Sequence, residues 1–499
     1  MASKAKIQQF VLLPVRGMRA RGPFSSPAAG KFLADLAGYS GMEKTAFRLP
    51  QRLYVEMRVL DSIHEDGAKL VELSSGFIST LKAYSPGLRL VPVVYYRPAL
   101  APFPSVESAP KVAAAKPVVK IKVQVVSKKD DTPVAGAFVI AFIDFERKIG
   151  AQGATNKKGE VQLSLGASSK KLERLYIYPE KSFWPALKKN ISISSGACLK
   201  LEPIDLSYKD SLRHYYGHSP DDSGAHVKVG VVDTGVGPHP DLVVDGGLNT
   251  VLGEDPKDFQ DNGAGHGSHV AGIIAARGIP PAGIRGLAPA VVLRSYRVFG
   301  KGSDGASNYS LAKAIDRAVA DGCDLLNMSL GGGAVDEATK DAISDARARG
   351  TLILVAAGND GRQPVSFPAS DSLALAVSAL GRKGTFPPGS TSSEYIKGPF
   401  GTDKNDFIAA FSNIGPELDL TGPGVAVIST VPGGYAIMDG TSMACPAATG
   451  IAAKVLSART DILNMSRDES RSDAMAMAVL QAAKSMGFGP IYEGQGLVR

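Results

Sequence analysis

Cysteine, tryptophan and long apolar runs are all scarce in this sequence. Its 499 residues include three cysteines and one tryptophan. Three cysteines are too few for a disulfide framework, and their scarcity fits a reducing compartment. The apolar run at residues 10–15 is too short, and too soon broken by Pro14, for the core of a signal peptide or for a membrane span. We therefore expect a soluble, cytoplasmic protein with no membrane partner, and non-classical export stays open.

Charge of one sign is not concentrated anywhere along the chain. The net charge is +8, from 56 Lys and Arg against 48 Asp and Glu that are spread widely. A nucleic-acid partner therefore has little support. The glycine-rich turn at 331–333 does not match the spacing of a dinucleotide site or a P-loop, so we predict no cofactor.

The residue pattern changes three times before residue 207. Residues 1–44 are rich in Gly, Pro, Ala and Arg and are expected to be loosely ordered. Residues 45–100 predict the strands and short helix of a small α+β domain. A Pro- and Ala-rich linker is predicted at 101–118. Residues 119–206 alternate with period two, which predicts a β-sandwich domain that serves either as a spacer or in binding.

Residues 207–499 have a different pattern, in which short apolar strands alternate with alanine-rich helices. Such alternation predicts an α/β fold, a mostly parallel sheet with helices on both faces. Ligands of such sheets bind at the carboxyl ends of the strands. The polar residues that follow strands or begin helices here are Asp233, His266, Asn359 and Ser442.

Each of these four residues has an ordinary structural explanation when it is taken alone. Asp233 and Asn359 would commonly be turn or cap residues, and His266 could be structural. Metal binding by His266 with His269 is disfavoured, because helical metal pairs are typically four residues apart and no HExxH or cysteine accompanies them. Together, however, the four side chains supply the orienter, base, oxyanion donor and nucleophile that serine acyl transfer needs.

Six short blocks resemble, in the same order, the signature blocks of the subtilisin-like serine proteases: VVDTGV with HPDL, GHGSHVAG, GLAP, NMSLGG, AAGN and GTSMACP. The resemblance covers about residues 208–499 and implies a subtilisin-like three-layer fold and hydrolysis of polypeptide substrates. It implies that Asp233 orients the base His266 and that Ser442 attacks the carbonyl. It further implies that Asn359 and the Ser442 N–H bind the oxyanion, with His269 in the helix behind the base.

The resemblance also implies two edges that hold an extended peptide by main-chain hydrogen bonds. One edge is the segment SLGG, and the other is residues 302–310. Asp360 is expected at the rim of the pocket, which predicts a mild preference for Lys or Arg before the cut. The predicted substrate-binding residues are Ser329, Leu330, Gly331, Gly332, Gly305 and Asp360.

Three further features concern metals, loops and regulation. Asp241 resembles a calcium ligand of some relatives, but the loop 276–286 lacks the Asn and Asp that would complete a cage, so we predict no metal. The Gly-, Pro- and Ser-rich segment 381–410 is expected to be a surface loop. Residues 70–96 resemble the later part of a subtilisin-type inhibitory propeptide. The N-terminal domain would then be an intramolecular inhibitor or folding aid; the alternative is an accessory domain that stays attached.

Two classes of function follow from these observations. The first is a serine endopeptidase that acts through an acyl-enzyme. The second is a catalytically silent binding protein that keeps the protease shell, and the presence of all four chemical types argues against it.

Overall fold

The structure is a computed structural model that describes residues 7–20, 26–40, 45–48, 54–84, 87–109, 120–166 and 169–499. In that part of the chain no helix is both long enough and apolar enough to cross a membrane.

The first part of the chain forms a five-stranded antiparallel sheet, in the order β2-β3-β4-β1-β5, with two helices on one face. Its other face packs against helices of the C-terminal part, in a shared core that contains Val11, Leu13, Ile315 and Ile343. The elements are β1 (Ile7–Pro14), α1 (Pro27–Ala37), β2 (Thr45–Arg48), β3 (Tyr54–Ser62), β4 (Lys69–Ser74), α2 (Ser75–Tyr84), β5 (Leu88–Pro92) and β6 (Tyr95–Pro98).

The expectation of a loosely ordered segment at 1–44 differs from the structure in two places. Residues 7–14 form an inner strand of the sheet, and residues 27–37 form a helix. The strand escapes pattern analysis because both of its faces are covered, so residues 10–14 are all buried and show no alternation. Residues 1–6, 21–25 and 41–44 lie outside the described residues.

Residues 88–96 contain two separate strands, β5 and the start of β6. β5 ends at Pro92, which has no N–H for a ladder. After two residues the chain leaves the sheet and forms β6 beside the C-terminal part. The α+β prediction is therefore correct in type, but its last strand belongs to a different sheet.

The second part of the chain is a β-sandwich, as its period-two pattern predicts. A three-stranded sheet, β10-β7-β13, packs on a four-stranded sheet, β12-β11-β8-β9, around a core of aliphatic side chains. Residues 110–119, which include half of the predicted linker, lie outside the described residues. The strands are β7 (Lys120–Ser127), β8 (Phe138–Asp144), β9 (Ile149–Ala154), β10 (Glu160–Ser164), β11 (Ser169–Tyr178), β12 (Ala186–Ser194) and β13 (Ala197–Leu201).

The sandwich docks on the loop 381–410 of the C-terminal part. Glu394 accepts hydrogen bonds from Arg174 and from the Tyr176 hydroxyl (3.2 Å), and it pairs with Lys189 at 2.6 Å. The backbone N–H of Leu187 donates to a carbonyl of the same loop, at 2.6 Å. The predicted surface loop is therefore a contact between two parts of this chain.

The C-terminal part contains a ten-stranded, mostly parallel sheet, ordered β15-β16-β14-β18-β20-β21-β23-β27-β26, with β22 beside β21. Helices α4 and α7 cover one face, and α5 and α6 cover the other. This three-layer arrangement confirms the predicted fold class. The strands are β14 (Lys228–Asp233), β15 (Gly247–Asn249), β16 (Val292–Arg297), β17 (Ala306–Ser307), β18 (Leu325–Met328), β19 (Leu330–Gly331), β20 (Leu352–Ala356), β21 (Leu375–Arg382), β22 (Asp406–Ile408), β23 (Leu418–Pro423), β24 (Val427–Val431), β25 (Gly434–Met438), β26 (Ala483–Lys484) and β27 (Leu497–Val498). The helices are α3 (Ser211–Tyr216), α4 (His266–Ala275), α5 (Asn308–Ala320), α6 (Glu337–Ala348), α7 (Thr441–Ser457), α8 (Thr460–Leu463), α9 (Glu469–Gln481) and α10 (Pro490–Glu493), with a 3-10 turn at Thr391–Tyr395.

One carboxylate in this sheet gives a test of folded-state electrostatics. Burial raises the pKa of Asp419 in β23 to about 6, although the N–H of Ala376 donates to its Oδ2 at 2.8 Å. The unfolded chain loses this proton near pH 4, so the stability of the fold falls as the pH rises from about 4 to about 6.

We therefore predict that Asp419→Asn, which keeps an acceptor for Ala376, stabilises the protein more at pH 8 than at pH 4. A shift of two pKa units corresponds to at most about 3 kcal/mol. Thermal unfolding of both proteins at both pH values measures the effect. Asp439, whose pKa is likewise raised by burial to about 6, is present in both proteins and cancels in the comparison. Equal shifts of the midpoint at pH 4 and pH 8 would contradict the prediction.

Candidate active site

Asp233 and His266 form a buried pair at the carboxyl end of β14. The Asp233 Oδ1 lies 2.7 Å from the His266 Nδ1 and accepts the N–H of Thr234 at the same distance. A proton on Nδ1 satisfies this contact and leaves Nε2 free to accept a proton. The Nε2 atom is buried and has no hydrogen-bond partner in the described part of the chain.

The position of His266 is fixed by the way α4 begins. The Thr234 Oγ1 accepts the N–H of Gly267 at 2.8 Å, and Asp261 accepts the N–H of Gly265 and the hydroxyl of Ser268. These contacts satisfy N–H groups that a helix leaves open at its start. A Cβ on Gly267 would lie 2.3 Å from a backbone oxygen, so this glycine lets α4 approach the end of β14. Sequence reasoning missed Asp261, whose capping signal precedes the helix by five residues.

His269 lies one turn behind His266 and has a different environment. Its Nε2 is 3.1 Å from the carbonyl oxygen of Val427 and 3.2 Å from that of Ala436. Burial, and to a lesser extent the charge of His266, lowers the pKa of His269 to about 3. The ring is therefore neutral and donates to the β24–β25 hairpin, so its contacts are structural.

Ser442 is the second residue of α7, whose N-terminal side is formed by Gly440 and Thr441, as the sequence predicts. Its hydroxyl donates to the carbonyl of Ser329 at 3.0 Å, and the Ser329 hydroxyl donates to the carbonyl of Ser442 at 2.9 Å. The second bond replaces one that the helix cannot make, because Pro446 has no N–H for that carbonyl.

The structure brings Asp233, His266 and Ser442 to one edge of the sheet. Val232 pairs with Met328 in the neighbouring parallel strand, so the next residues, Asp233 and Ser329, lie side by side. Ser442 is bonded to Ser329 in both directions. The Ser442 hydroxyl donates to Ser329 and not to the His266 Nε2, which has no hydrogen-bond partner among the described residues.

Asn359 lies beside the start of α7. Its Oδ1 accepts the N–H of Thr441 at 2.8 Å, which assigns the oxygen and nitrogen of the amide. The Nδ2 group is buried and makes no hydrogen bond within the described residues. It is an unused donor next to Ser442.

The cleft between the two predicted edges is filled by residues 95–101 of the same chain. β6 lies between β17 and β19, pairing antiparallel with each. The N–H of Ala99 donates to Ser329 at 3.0 Å, and the carbonyl of Ala99 accepts the N–H of Ser442 at 3.1 Å. The peptide bond between Ala99 and Leu100 is therefore held at Ser442.

The residues after this bond follow the cleft toward the sandwich. The N–H of Ala101 donates to the carbonyl of Asp439 at 2.9 Å. The Phe103 ring makes an edge contact with Tyr178 of the sandwich, with centroids 4.5 Å apart. Gly440, at φ +155°, allows this path, since a Cβ there would lie 2.6 Å from the Ala99 oxygen.

The predicted substrate-binding residues surround residues 95–99. Leu330 pairs with Pro98 and Gly331 with Arg97, while a Cβ on Gly305 would lie 3.3 Å from the Tyr95 ring. Beside Ala99 is a cavity of about 490 Å³. The residues that line it include Gly331, Gly332, Gly358, Asn359, Asp360 and Ser366.

Asp360 and Asp241 both have partners within the protein. The Asp360 Oδ2 accepts from the Asn413 side chain at 2.8 Å, so part of its charge is already engaged at the pocket. The Asp241 Oδ2 accepts the N–H of Ile284 and the hydroxyl of Tyr435, both at 2.9 Å. No group of three or more His, Cys, Asp or Glu side chains arranged to hold a metal ion occurs among the described residues.

Comparison with known proteins agrees with this geometry. Residues 224–496 match the model of the subtilase family, peptidase S8. Subtilisin BL of Lederbergia lenta is 39% identical over 234 residues, which are 47% of this chain and 77% of that protein. Subtilisin DY of Bacillus licheniformis is 36% identical over 282 residues, which cover 55% and 89%. M-protease of Shouchella clausii (strain KSM-K16) is 39% identical over 234 residues, which cover 47% of this chain and only 54%, about half, of that protein. The family model covers more than half of the residues of this chain, and Asp233, His266 and Ser442 lie within the matched region. This chain therefore belongs to the subtilase family.

Proposed function

We propose that the protein is a serine endopeptidase that hydrolyses peptide bonds with Ser442, His266 and Asp233. One observation carries the proposal: Ala99 is bonded through its N–H to Ser329 and through its carbonyl to the N–H of Ser442. A main-chain carbonyl is thus held beside a serine hydroxyl, with a buried imidazole–carboxylate pair at the neighbouring strand end. This arrangement is the one that acyl transfer requires.

The proposed reaction has two halves. The Ser442 Oγ attacks the carbonyl carbon while the His266 Nε2 takes the hydroxyl proton, and Asp233 stabilises the resulting imidazolium. The tetrahedral intermediate then collapses: the C–N bond breaks, and the imidazolium gives its proton to the leaving amine. Water, deprotonated by the same imidazole, attacks the acyl ester and regenerates the serine hydroxyl.

The negative charge of the intermediate needs donors that the ground state does not fully use. The N–H of Ser442 already faces the Ala99 oxygen. The Asn359 Nδ2 is a second donor that is buried and free in the described structure. An oxyanion lies at a different point from the carbonyl oxygen it replaces, so a donor that is unused in the ground state and used in the intermediate favours the reaction.

We also propose that the five-stranded sheet is an intramolecular inhibitor. Ser442 is fully buried while residues 95–101 fill the cleft. The sheet is anchored to α6, where Arg89 pairs with Glu337 at 2.6 Å and the N–H of Met18 donates to Asp345 at 3.0 Å. Because the segment is part of the same chain, its effective concentration in the cleft exceeds that of a free peptide.

The alternative is a catalytically silent protein that uses the subtilase shell for binding. The observation that favours it is the hydrogen bond from the Ser442 hydroxyl to Ser329, which directs the proton away from His266. A cytoplasmic location stays a prediction that rests on the sequence.

A fluorophosphonate probe distinguishes the two functions. We expect covalent labelling at Ser442, no labelling of Ser442→Ala, and labelling at least about 100-fold slower in His266→Ala, because the base is missing. Mass spectrometry of the labelled peptide gives the site. If the probe fails to label the protein even after the N-terminal segment has been released by limited digestion, the silent alternative holds.

The occupied cleft predicts one particular cut. Purified full-length protein should give a fragment whose first residue is Leu100, and Ser442→Ala should stay intact, because Ala99 alone presents its carbonyl to Ser442. N-terminal sequencing measures this directly. A fully active protein that keeps the intact chain, or a fragment that begins elsewhere, would argue against residues 95–101 as an inhibitor that the protein itself removes.

The role of Asn359 can be separated from its structural contact with Thr441. Asn359→Asp keeps an oxygen for the N–H of Thr441 but loses the Nδ2 donor, whereas Asn359→Ala loses both. We expect kcat to fall by about 100- to 1,000-fold in both variants, a range taken from removal of one oxyanion donor in a subtilisin. KM should change little. A loss confined to Asn359→Ala would assign the side chain a purely structural role.

A further inference from the structure

Tyr96 is held more completely than any neighbouring residue of the segment in the cleft. The side chain is fully buried between β19 and the start of α6. A Cβ on Gly333 would lie 2.3 Å from the ring, so the absence of a side chain there makes room for it. The ring of Phe367 lies on another side, with centroids 6.2 Å apart. The pocket therefore matches an aromatic ring in shape.

The far end of this pocket is polar. The Tyr96 hydroxyl donates to the Oδ2 of Asp336 and lies 3.3 Å from the Oγ1 of Thr339. The other carboxylate oxygen, Oδ1, accepts the N–H of Thr339 at 2.9 Å and the side-chain amide of Asn308 at 3.1 Å. Within the described residues, the Asp336 Oδ2 accepts a hydrogen bond from the phenolic hydroxyl of Tyr96 and from no other donor.

The carboxylate makes the pocket selective for a hydroxyl as well as for a ring. Asp336 is only 5% exposed, so a ligand without the hydroxyl would leave a buried, charged oxygen without its donor. Loss of such a partner costs the full desolvation of the group. Burial and the adjacent Asp336 charge raise the pKa of Tyr96 well above its ordinary value, so the phenol keeps its proton and donates.

The neighbouring positions of the segment show no comparable contact. Arg97 faces solvent, and its ion pair with Asp304 at 3.8 Å joins side chains that are 77% and 83% exposed. Such a pair contributes little. Ala99 is small and leaves the adjacent cavity of about 490 Å³ largely unfilled. Side-chain recognition is thus concentrated at Tyr96.

We propose that Asp336 is a specificity-determining residue of this cleft: by accepting the phenolic hydroxyl, it favours tyrosine over phenylalanine three residues before the residue whose carbonyl is attacked. This proposal rests on the proposed endopeptidase activity and names its substrate class. The same contact would hold the chain's own segment in place.

The test compares two peptides that copy residues 93–103 and differ only at the tyrosine equivalent to Tyr96, which is replaced by phenylalanine in the second. The enzyme is the protein as purified from the full chain, with active sites counted by the fluorophosphonate probe. Sites that hydrogen-bond a substrate hydroxyl reject the analogue strongly, so we expect kcat/KM to favour tyrosine by at least about 20-fold.

Variants of Asp336 identify the source of this ratio. Asp336→Ser keeps a good helix N-cap for α6 but is too short to reach the phenol, and the ratio should fall to about 3-fold or less. If that variant does not fold, Asp336→Asn keeps both the cap and the shape while it removes the charge, and the ratio should fall by at least about 5-fold. Glu337→Gln is the matched control: it removes one negative charge at the next residue, outside the pocket, and should keep the ratio.

A second experiment tests the chain's own segment, by means of the substitution Tyr96→Phe in the full-length protein. The segment should then compete less well for the cleft, and the initial rate of hydrolysis of the tyrosine peptide should rise by about 5-fold or more.

Each outcome decides between the two proposals. No cleavage of either peptide together with no probe labelling would refute the endopeptidase itself. Labelled protein that cuts both peptides with similar kcat/KM, or cuts neither, would overturn the tyrosine proposal alone. A wild-type preference that persists in the Asp336 variants would remove Asp336 from its role.

Discussion

The antiparallel pairing of residues 95–98 with two edges of the C-terminal part is the constraint on which the site depends. In a strand, side chains alternate between faces, so a slip of one residue would turn Tyr96 out of its pocket and move the carbonyl of Ala99 away from Ser442. The register is fixed at both edges, at Ala306 and at Gly331. Main-chain hydrogen bonds thus determine which peptide bond lies at the serine. The burial of Tyr96 in its pocket, three residues before Ala99, requires the same register.

Most polar groups at this edge are hydrogen-bonded to one another, and these bonds fix their orientations. Ser329 receives the N–H of Ala99 and the hydroxyl of Ser442 on its carbonyl, and its own hydroxyl reaches the carbonyl that Pro446 leaves without a donor. His269 is kept neutral and donates to the hairpin behind α4. Four buried side-chain atoms of the site residues have no hydrogen-bond partner in the described part of the chain: Asp233 Oδ2, His266 Nε2, His269 Nδ1 and Asn359 Nδ2. A packed interior tolerates few such atoms, and the proposed reaction would use two of them, His266 Nε2 and Asn359 Nδ2.

The sequence predicted the sheet, and it placed Asp233, His266 and Ser442 at strand ends and helix starts, because the informative signals are local. Asp233 directly follows a run of apolar residues, and Ser442 follows Gly440 and Thr441 at a helix start. The remainder depends on distant contacts. The residues around Ala99 carry no signal of their own that they cross a cleft formed more than 200 residues later in the chain. Only the resemblance of residues 70–96 to an inhibitory propeptide pointed to such a role, and the Pro- and Ala-rich stretch after Leu100 predicted a linker. Asp336 is the N-cap residue of α6, and its place in the sequence gives no sign of its second contact, which is with Tyr96.

The order of the parts along the chain gives the contact between Phe103 and Tyr178 a particular consequence. A cut after Ala99 separates the five-stranded sheet from everything that follows, yet the sandwich stays covalently joined to the subtilase part. The two products, residues 1–99 and residues 100–499, then differ in how they are held to the active site. The five-stranded sheet is then held only by noncovalent contacts, whereas the sandwich is tethered, with a fresh amino terminus at Leu100 and an aromatic anchor three residues later. In each catalytic cycle, the segment that begins at Leu100 would have to leave the cleft before the residues of a new substrate that follow its cleaved bond could bind there.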